Sequence, residues 1–393
     1  MPYKILIAGA GLGGLSAAAC LMKAGHRVEI YEQAPALGEI GAGIQISANA
    51  MHVLRDLGLE NVIRAAGVQP AAYVFRLFDS GEEIQRFSLS AEHETMHGAP
   101  YTQLHRADFH DILAHKVQQL DPASIHLNRK VAGYDEDGQG ITLRFTDGSS
   151  ARGDLLVAAD GLKSVIRAQM LGAAVATYTG DAAWRITVPV ERLPKDTIEK
   201  AMSVFVGPGR HAVCYYLRGG ALLNFVGCVE TEDVSEESWT VRFPWERLKD
   251  DYRGWNPAIQ TIIDSADKEA CYRWSLHNRP PAKNWSSGHV TLLGDAAHPT
   301  LPYLAQGAAM AIEDGAVLTR ALAMRETIGE ALQLYQRNRV DRTSKIVAQS
   351  TANRELFHLP SEAAIRAAFA KRDQGADRNK WLYSYNPLTV ELT

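Results

Sequence analysis

The chain has 393 residues, 46% of them hydrophobic and 22% charged, with a net charge of −4. That is an ordinary globular composition, with room for roughly two to three domain-sized units and a large core. It excludes the basic surface that nucleic acid or an anionic membrane would need, and no apolar run reaches the length of a membrane span.

In chain order, YKILIA is a short apolar run that predicts a buried strand. It runs straight into a glycine loop and leaves no room for a secretory leader. The loop GAGLGG places Gly9, Gly11 and Gly14 in GxGxxG register. LSAAACLMKAG predicts a helix closed by Gly25, and RVEIYE a second strand ending at Glu32. Each part has a job in a dinucleotide site. Gly9 permits the tight turn, Gly11 lets the backbone approach a pyrophosphate, and Gly14 lets helix and strand pack closely. The helix N-terminus turns free N–H groups and a positive dipole end toward the phosphates. Glu32 stands where a ribose 2′-hydroxyl would be bound, and its charge disfavours a 2′-phosphate. Leu12 and Gln33 complete this expected set of cofactor-binding positions.

The next stretch, EQAPALGEIGAGIQISANAMHVLRDLGL, carries Gly38, Gly41 and Gly43 and stays irregular, as if wrapping a cofactor larger than NAD. Gln45 falls in this expected loop, and a helix follows from about Asn49 to Gly58. Residues 71–89 alternate around DSG as a hairpin. DLLVAADG is a strand from Leu155 to Ala159 that ends in Asp160-Gly161. Residues 175–230 read as strands of one mostly antiparallel sheet, with one face over the cofactor and the other toward solvent or a partner. Within GPGRHAVCYYLRGG, period-two alternation puts His211, Val213 and Tyr215 on one face. Arg185 in AWR either clamps a carboxylate or points outward.

HVTLLGDAAH is a further strand, ending at Gly294-Asp295. Strand ends that deliver a glycine turn or an acid line up at the ligand crevice of a doubly wound sheet. His298 reads as a structural histidine rather than a base. EALQLYQRNRVDRTSKIVAQSTANRELFHL predicts a long, polar surface helix and PSEAAIRAAFAKR another. The tail WLYSYN caps either its own core or a partner's, which leaves a homodimer open. Cys20, Cys214, Cys228 and Cys271 are scattered without CxxC spacing. They argue against a zinc site or a disulfide framework, and for a reducing compartment such as the cytoplasm.

Gly9-x-Gly11-x-x-Gly14, Asp160-Gly161 and Gly294-Asp295, in this order, resemble the single-component flavoprotein aromatic hydroxylases of the para-hydroxybenzoate hydroxylase type. HRADFH (105–110), GPGRH (207–211) and AQGAAMAIEDG (305–315) resemble the salicylate, 3-hydroxybenzoate and 6-hydroxynicotinate monooxygenases within it. The resemblance covers nearly the whole chain. It implies FAD as cofactor, NADH or NADPH as transient co-substrate, and O2. The implied reaction is hydroxylation of a small hydroxylated aromatic or pyridine carboxylate through a flavin C4a-hydroperoxide, with decarboxylation where the attacked carbon bears the carboxylate.

By the same resemblance Asp295 bonds the ribityl chain, the loop from Pro299 to Ala305 passes the isoalloxazine, and Gln306, Gly307 and Ala308 turn helix N–H groups toward the flavin C2 carbonyl. Gln45 flanks the flavin, Arg106 helps hold it, Val131 meets the adenine end through its backbone, and Asp160 contributes to FAD and NAD(P)H binding. A surface ion pair with Asp108 is the competing reading of Arg106. His211 stands where relatives carry a histidine near the substrate's ring hydroxyl, and a histidine titrating near neutral pH suits removal of that proton. His211 and Tyr215 are therefore the expected catalytic pair, and Gln45, Pro302 and Tyr303 the expected substrate contacts. Pro302 matches a proline of para-hydroxybenzoate hydroxylase. The 3-hydroxybenzoate 6-hydroxylases carry a glutamine there, which argues against that substrate.

The expected fold is α/β. A Rossmann-like FAD-binding domain (1–70, 99–172 and 281–345) is interleaved with a mostly antiparallel substrate domain (71–98 and 173–280), and a helical segment (346–393) closes the chain. Two rival readings are a flavoprotein of this fold that acts on a larger polycyclic or quinolone substrate, and a non-catalytic flavin-bound redox sensor.

Overall fold

The computed structural model describes residues 2–38, 42–173, 176–234, 241–372 and 379–393. Gly41 and Val175 of the sequence reading lie outside the described residues. Strand β1 (Lys4–Ala8) lies inside a six-stranded sheet. The order is β17 (Ser286–Ser287), β18 (Val290–Leu292), β11 (Leu155–Ala158), β1, β2 (Arg27–Tyr31) and β7 (Ile125–His126). All neighbours run parallel except the edge strand β17. Ile5 to Ala8 and Leu155 to Ala158 are fully buried. Helices cover both faces of such a sheet, which is why these strands read as unbroken apolar runs.

The parallel register places Ala8 beside Ala158, and Ala158 beside Leu292. The three strands therefore stop at one level, and the turns that follow them lie side by side. The sequence expectation of a common crevice at these ends is met.

A seven-stranded sheet forms the other half of the molecule. Its order is β16 (Tyr272–Asn278), β12 (Thr177–Pro189), β15 (Leu222–Glu230), β14 (Arg210–Leu217), β13 (Met202–Gly207), β4 (Ala72–Leu77) and β5 (Glu83–Ser88). Only β13 and β4 pair in parallel. Its far face departs from expectation. Trp184, Ile186 and Phe225 pack there against Tyr252, Ile259 and Ile263, in a second core closed by the helices Trp245–Asp251 and Pro257–Asp264. That face meets neither solvent nor a partner, because the 241–266 segment folds back over it.

Two small sheets complete the frame. One is β8 (Val131–Glu136), β9 (Ile141–Phe145) and β10 (Ser150–Gly153), and the other is β3 (Gly43–Ile46) with β6 (Thr102–His105). Gln45 is thus on a paired strand, opposite Gln103, and not in an irregular loop. Its glycine-rich surroundings hide a four-residue strand from a period-two search.

The helix Ile328–Phe357 has 30 residues and opens with a capping box between Thr327 and Glu330. It is not the surface helix its polar pattern suggests. Arg339, Thr343 and Ser350 are fully buried. Arg339 meets Glu313 and Asp314 at 2.7 Å each, so its charge is neutralised inside the core.

Candidate active site

The crevice is built on close backbone approach. A Cβ at Gly14 would sit 2.1 Å from the Gly9 carbonyl oxygen, so only glycine lets the helix Leu12–Lys23 start this near the turn. At Gly11, by contrast, a Cβ would meet nothing within 4 Å, leaving open space above the turn. Glu32 braces this loop from both sides, accepting from Ala10 N at 2.8 Å through Oε2 and from Ala34 N at 2.9 Å through Oε1. His110 adds a tie the sequence did not signal, with its Nε2 2.8 Å from Ala10 O. Leu12 is buried in the first helical turn and Gln33 is exposed beside Glu32. Val131 begins β8, and Arg129 N donates to Glu32 O at 2.8 Å, which brings that segment alongside the acid.

At the end of β11, Asp160 Oδ2 accepts from Val165 N at 2.9 Å and Ile166 N at 3.3 Å. Its Oδ1 is buried with no partner among the described residues. Burial raises this carboxyl above its ordinary range against the opposing hydrogen bonds from Ser164 and the helix amides. Asp295 lies exposed in the turn after β18. Arg106 opens the helix Arg106–Leu120, and its N donates to Ala42 O at 2.8 Å. Its expected rival partner, Asp108, is held by Arg218 through two bonds of 2.7 and 2.8 Å.

Further along the crevice, Pro302–Leu304 forms a single 3-10 turn, and Ala305 has φ +52°. Left-handed backbone is uncommon outside glycine and costs strain. Here it swings the chain into the helix Gly307–Met324, whose N-cap is Gln306. Gln306 is buried, donates to Ser47 Oγ at 3.0 Å and accepts from Asn49 Nδ2 at 3.0 Å. The first N–H groups of this helix, at Gly307 and Ala308, have no intrahelical acceptors by geometry, so they suit a ligand oxygen. Turn, braced acid, orphan carboxyl oxygen and open helix end together fit a flavin dinucleotide.

A cavity of about 460 Å³ adjoins this loop. Its walls are Tyr73 and Phe75 of β4, Met202 of β13, His211 and Val213 of β14, Gln45, and Pro302 to Ala305. Phe357, Arg372 and the tail residues Trp381, Leu382 and Tyr383 close it from the C-terminal side. The aromatic tail therefore folds on its own chain and lines the site. Arg342 donates to the carbonyls of Trp381 and Leu382 at 3.1 Å each and holds the tail in place.

The expected catalytic pair comes apart. His211 lines the cavity, but Tyr215, at the other end of β14, does not. Tyr215 lies beneath β3, where a Cβ on Gly43 would meet its ring and hydroxyl at 2.3 to 2.5 Å. Gln45 accepts from Tyr101 Oη at 2.6 Å. Tyr303 lines the cavity, but its hydroxyl donates to Asp181 Oδ2 at 2.5 Å. Arg185 is buried rather than outward, stacked 5.2 Å from the Tyr272 ring and 5.7 Å from that of Trp274. His298 is structural, as expected, with Nε2 2.6 Å from Asp314 Oδ2 in the core.

His211 does not titrate near neutral pH. Burial, and then the neighbouring His358, push its pKa well below the ordinary histidine range. Its Nδ1 lies 2.8 Å from His358 Nε2. His358 is the main residue that sequence reasoning missed. It lies 147 positions from His211, and no local pattern joins them. Burial pushes the Cys20 and Cys271 thiols up to about 12 and raises Cys214 and Cys228 further, so all four free cysteines are poor nucleophiles.

A family model described as FAD binding domain matches residues 2–350. The chain belongs to this FAD-binding family. It is similar to the 3-hydroxybenzoate 6-hydroxylase of Polaromonas naphthalenivorans (strain CJ2), 36% identical over 388 residues, 97% of this chain and 96% of that one. It is also similar to a 6-hydroxynicotinate 3-monooxygenase of Bordetella bronchiseptica, 34% identical over 89% of this chain and 91% of the relative. Among solved structures it resembles Klebsiella pneumoniae HpxO complexed with FAD and uric acid, 28% identical, with TM-score 0.84 over 97% and 95% of the two chains. Within the FAD-binding family this chain is an FAD-dependent aromatic-ring monooxygenase, and reduced nicotinamide is the usual co-substrate there.

Proposed function

We propose that this monooxygenase hydroxylates a small hydroxylated aromatic or pyridine carboxylate, with NAD(P)H as reductant, in the cytoplasm. The supporting observation is a neutral, buried His211 on the wall of a mostly apolar cavity that adjoins the Pro302–Ala305 loop. Bound FAD would supply oxygen activation and deliver one oxygen atom to the ring. It would be held by Gly9, Gly11, Leu12, Gly14, Glu32, Gln33, Arg106, Val131, Asp160, Asp295 and the helix end at Gln306 to Ala308. The helix dipole there would favour negative charge on the facing edge of the cofactor.

The chain's own residues do the rest. With Nδ1 engaged by His358, His211 has Nε2 left to accept the proton of a ring hydroxyl. Loss of that proton raises electron density at the ortho and para carbons, where an electrophilic oxygen attacks. Pro302 and Leu304 keep water from the reacting centre. Where the attacked carbon bears the carboxylate, carbon dioxide leaves as the ring regains aromaticity. In this reading the six-stranded sheet belongs to the flavin domain and the seven-stranded sheet to the substrate domain.

Cavity size favours a second reading. A dry cavity of ~150 Å³ already takes a benzene ring. The cavity here, at about 460 Å³, has room for a fused bicyclic substrate.

The test is His211→Ala in the FAD-loaded enzyme. Product formation at pH 7 should fall about 10²–10⁴-fold, the usual span for loss of a general base. FAD content should stay normal. Product yield should recover as the pH is raised, because solvent then removes the proton. Wild-type yield at pH 7 would make His211 a bystander on its strand.

A further inference from the structure

Among the described residues, two arginines stand on the wall of the cavity, Arg86 and Arg372, and they differ in what holds them. Arg86, on β5, donates from Nε and Nη2 to the Glu83 carboxylate at 2.9 and 2.7 Å, and its Nη2 also meets Glu199 at 2.9 Å. Its charge is cancelled by protein carboxylates. Arg372 is the C-cap of the helix Glu362–Lys371, and the groups that hold it are neutral. Its guanidinium carbon lies 4.9 Å from the centre of the Phe75 ring and 5.3 Å from that of Phe369. Its Nη1 donates to Gln85 Oε1 at 3.1 Å. Among the described residues Nε is buried with no partner and Nη2 makes no hydrogen bond. Nε and Nη2 form the edge through which Arg86 holds Glu83 and Arg218 holds Asp108. Such an edge takes a carboxylate through two parallel bonds. A desolvated donor without an acceptor is costly, and a ligand oxygen that reaches it from the cavity removes that cost. Glu92, the other charged residue on the wall, is exposed on the helix Ala91–His97. Arg185, which the sequence offered as a carboxylate clamp, is not on this wall.

We propose that Arg372 selects the substrate's carboxylate, binding it on the Nε–Nη2 edge and so orienting the ring in the cavity. The proposal rests on the reading of the substrate as an aromatic carboxylate. Phe75 and Phe357 lie between this anchor and His211. The Phe75 and Phe357 ring centres are 5.5 Å apart, and the Phe357 ring centre is 5.1 Å from that of His211. An aromatic acid laid along these two rings carries its carboxylate to Arg372 and its far edge toward His211. A neutral analogue of the same shape leaves the guanidinium without a counter-charge and is rejected on that ground, as a site built for a polar group rejects a ligand that lacks it. The anchor comes from the C-terminal helical segment and not from the seven-stranded sheet, so the segment that closes the cavity also reads what enters it.

The test uses the FAD-loaded full chain and acids paired with amides of the same shape: 3-hydroxybenzoate with 3-hydroxybenzamide, salicylate with salicylamide, and 6-hydroxynicotinate with 6-hydroxynicotinamide. Binding is followed by the change in flavin absorbance. At least one acid should bind the wild type more tightly than its amide. Arg372→Gln should weaken that acid by about tenfold to a hundredfold, the loss expected for hydrogen bonds to a charged group, and abolish its preference over the amide. Arg372→Lys keeps the charge without the fork, and its preference should fall between the two. A purely structural defect would weaken acid and amide alike. Parallel weakening of both ligands, or a wild-type preference retained in Arg372→Gln, would overturn the assignment and leave the aromatic-carboxylate reading intact. Should Arg372→Gln not fold, Arg372→Lys decides, and a wild-type preference there would overturn the assignment too. A wild type that binds an acid and its amide equally would also overturn it. If the wild type binds none of the acids, the reading of the substrate fails, and the assignment fails with it.

Discussion

Gly14 shows how far one residue governs the first turn. A Cβ there would lie 2.1 Å from the Gly9 carbonyl, a rigid backbone atom that cannot rotate away. Gly14→Ala should therefore displace the turn and give protein with little bound FAD, read from the flavin absorbance of the purified enzyme. Full flavin content in that variant would show that the turn tolerates the shift. The close packing at Gly14 was readable from its spacing, because the motif is local. Tyr215 lies off the cavity wall for an equally physical reason. Alternation correctly put it on the face of His211, but alternation does not say which strand crosses that face, and β3 covers Tyr215 while leaving His211 open.

At the scale of elements, the helices Gly307–Met324 and Ile328–Phe357 are joined by a buried charge cluster. Glu313 meets Arg339 and Arg342 at 2.7 Å each, and Asp314 meets Arg339 and His298 at 2.7 and 2.6 Å. Burial alone would raise both carboxyls. For Glu313, Arg342 and Arg339 overcome it, and for Asp314, His298 and Arg339 do, so both sit below the ordinary carboxylate range. A depressed carboxyl stabilises the fold above its unfolded pKa, about 4 for these groups, and that stability is lost as the pH falls through the lower folded value. Acid unfolding should thus set in below about pH 4. Arg339→Leu leaves two buried acids short of a partner and should cost about 3–5 kcal/mol in a denaturant titration. A loss below about 1 kcal/mol would mean that water enters the cluster. This element was the hardest to read in the sequence. A polar pattern predicts a solvated face, and ions that cancel across two helices leave no periodic trace. The loop before the first of these helices makes its own prediction. Leu304 lines the cavity, so Leu304→Ala should admit water and raise peroxide release per NADH consumed. Unchanged coupling would place the water shield elsewhere.

Across the whole molecule, the six-stranded and the seven-stranded sheets flank one crevice, and the C-terminal tail lines the cavity beside it. The first sheet was legible because its strands are unbroken apolar runs ending in glycine or acid. The closure was not, since Trp381 to Tyr383 reach the cavity through tertiary contacts distant in sequence, among them Arg342 to the Trp381 and Leu382 carbonyls and the rings of His93, His97 and Tyr101 against Tyr383. The central claim is that this cavity presents a phenolic ring to activated oxygen. The most direct measurement supplies NADH and isotopically labelled O2 to the FAD-loaded enzyme with a panel of hydroxylated aromatic and pyridine carboxylates, and weighs the products. The account predicts that at least one acid stimulates NADH consumption and leaves with a single labelled oxygen atom on its ring. NADH consumption that yields only peroxide, with every acid on the panel recovered unlabelled, would contradict it.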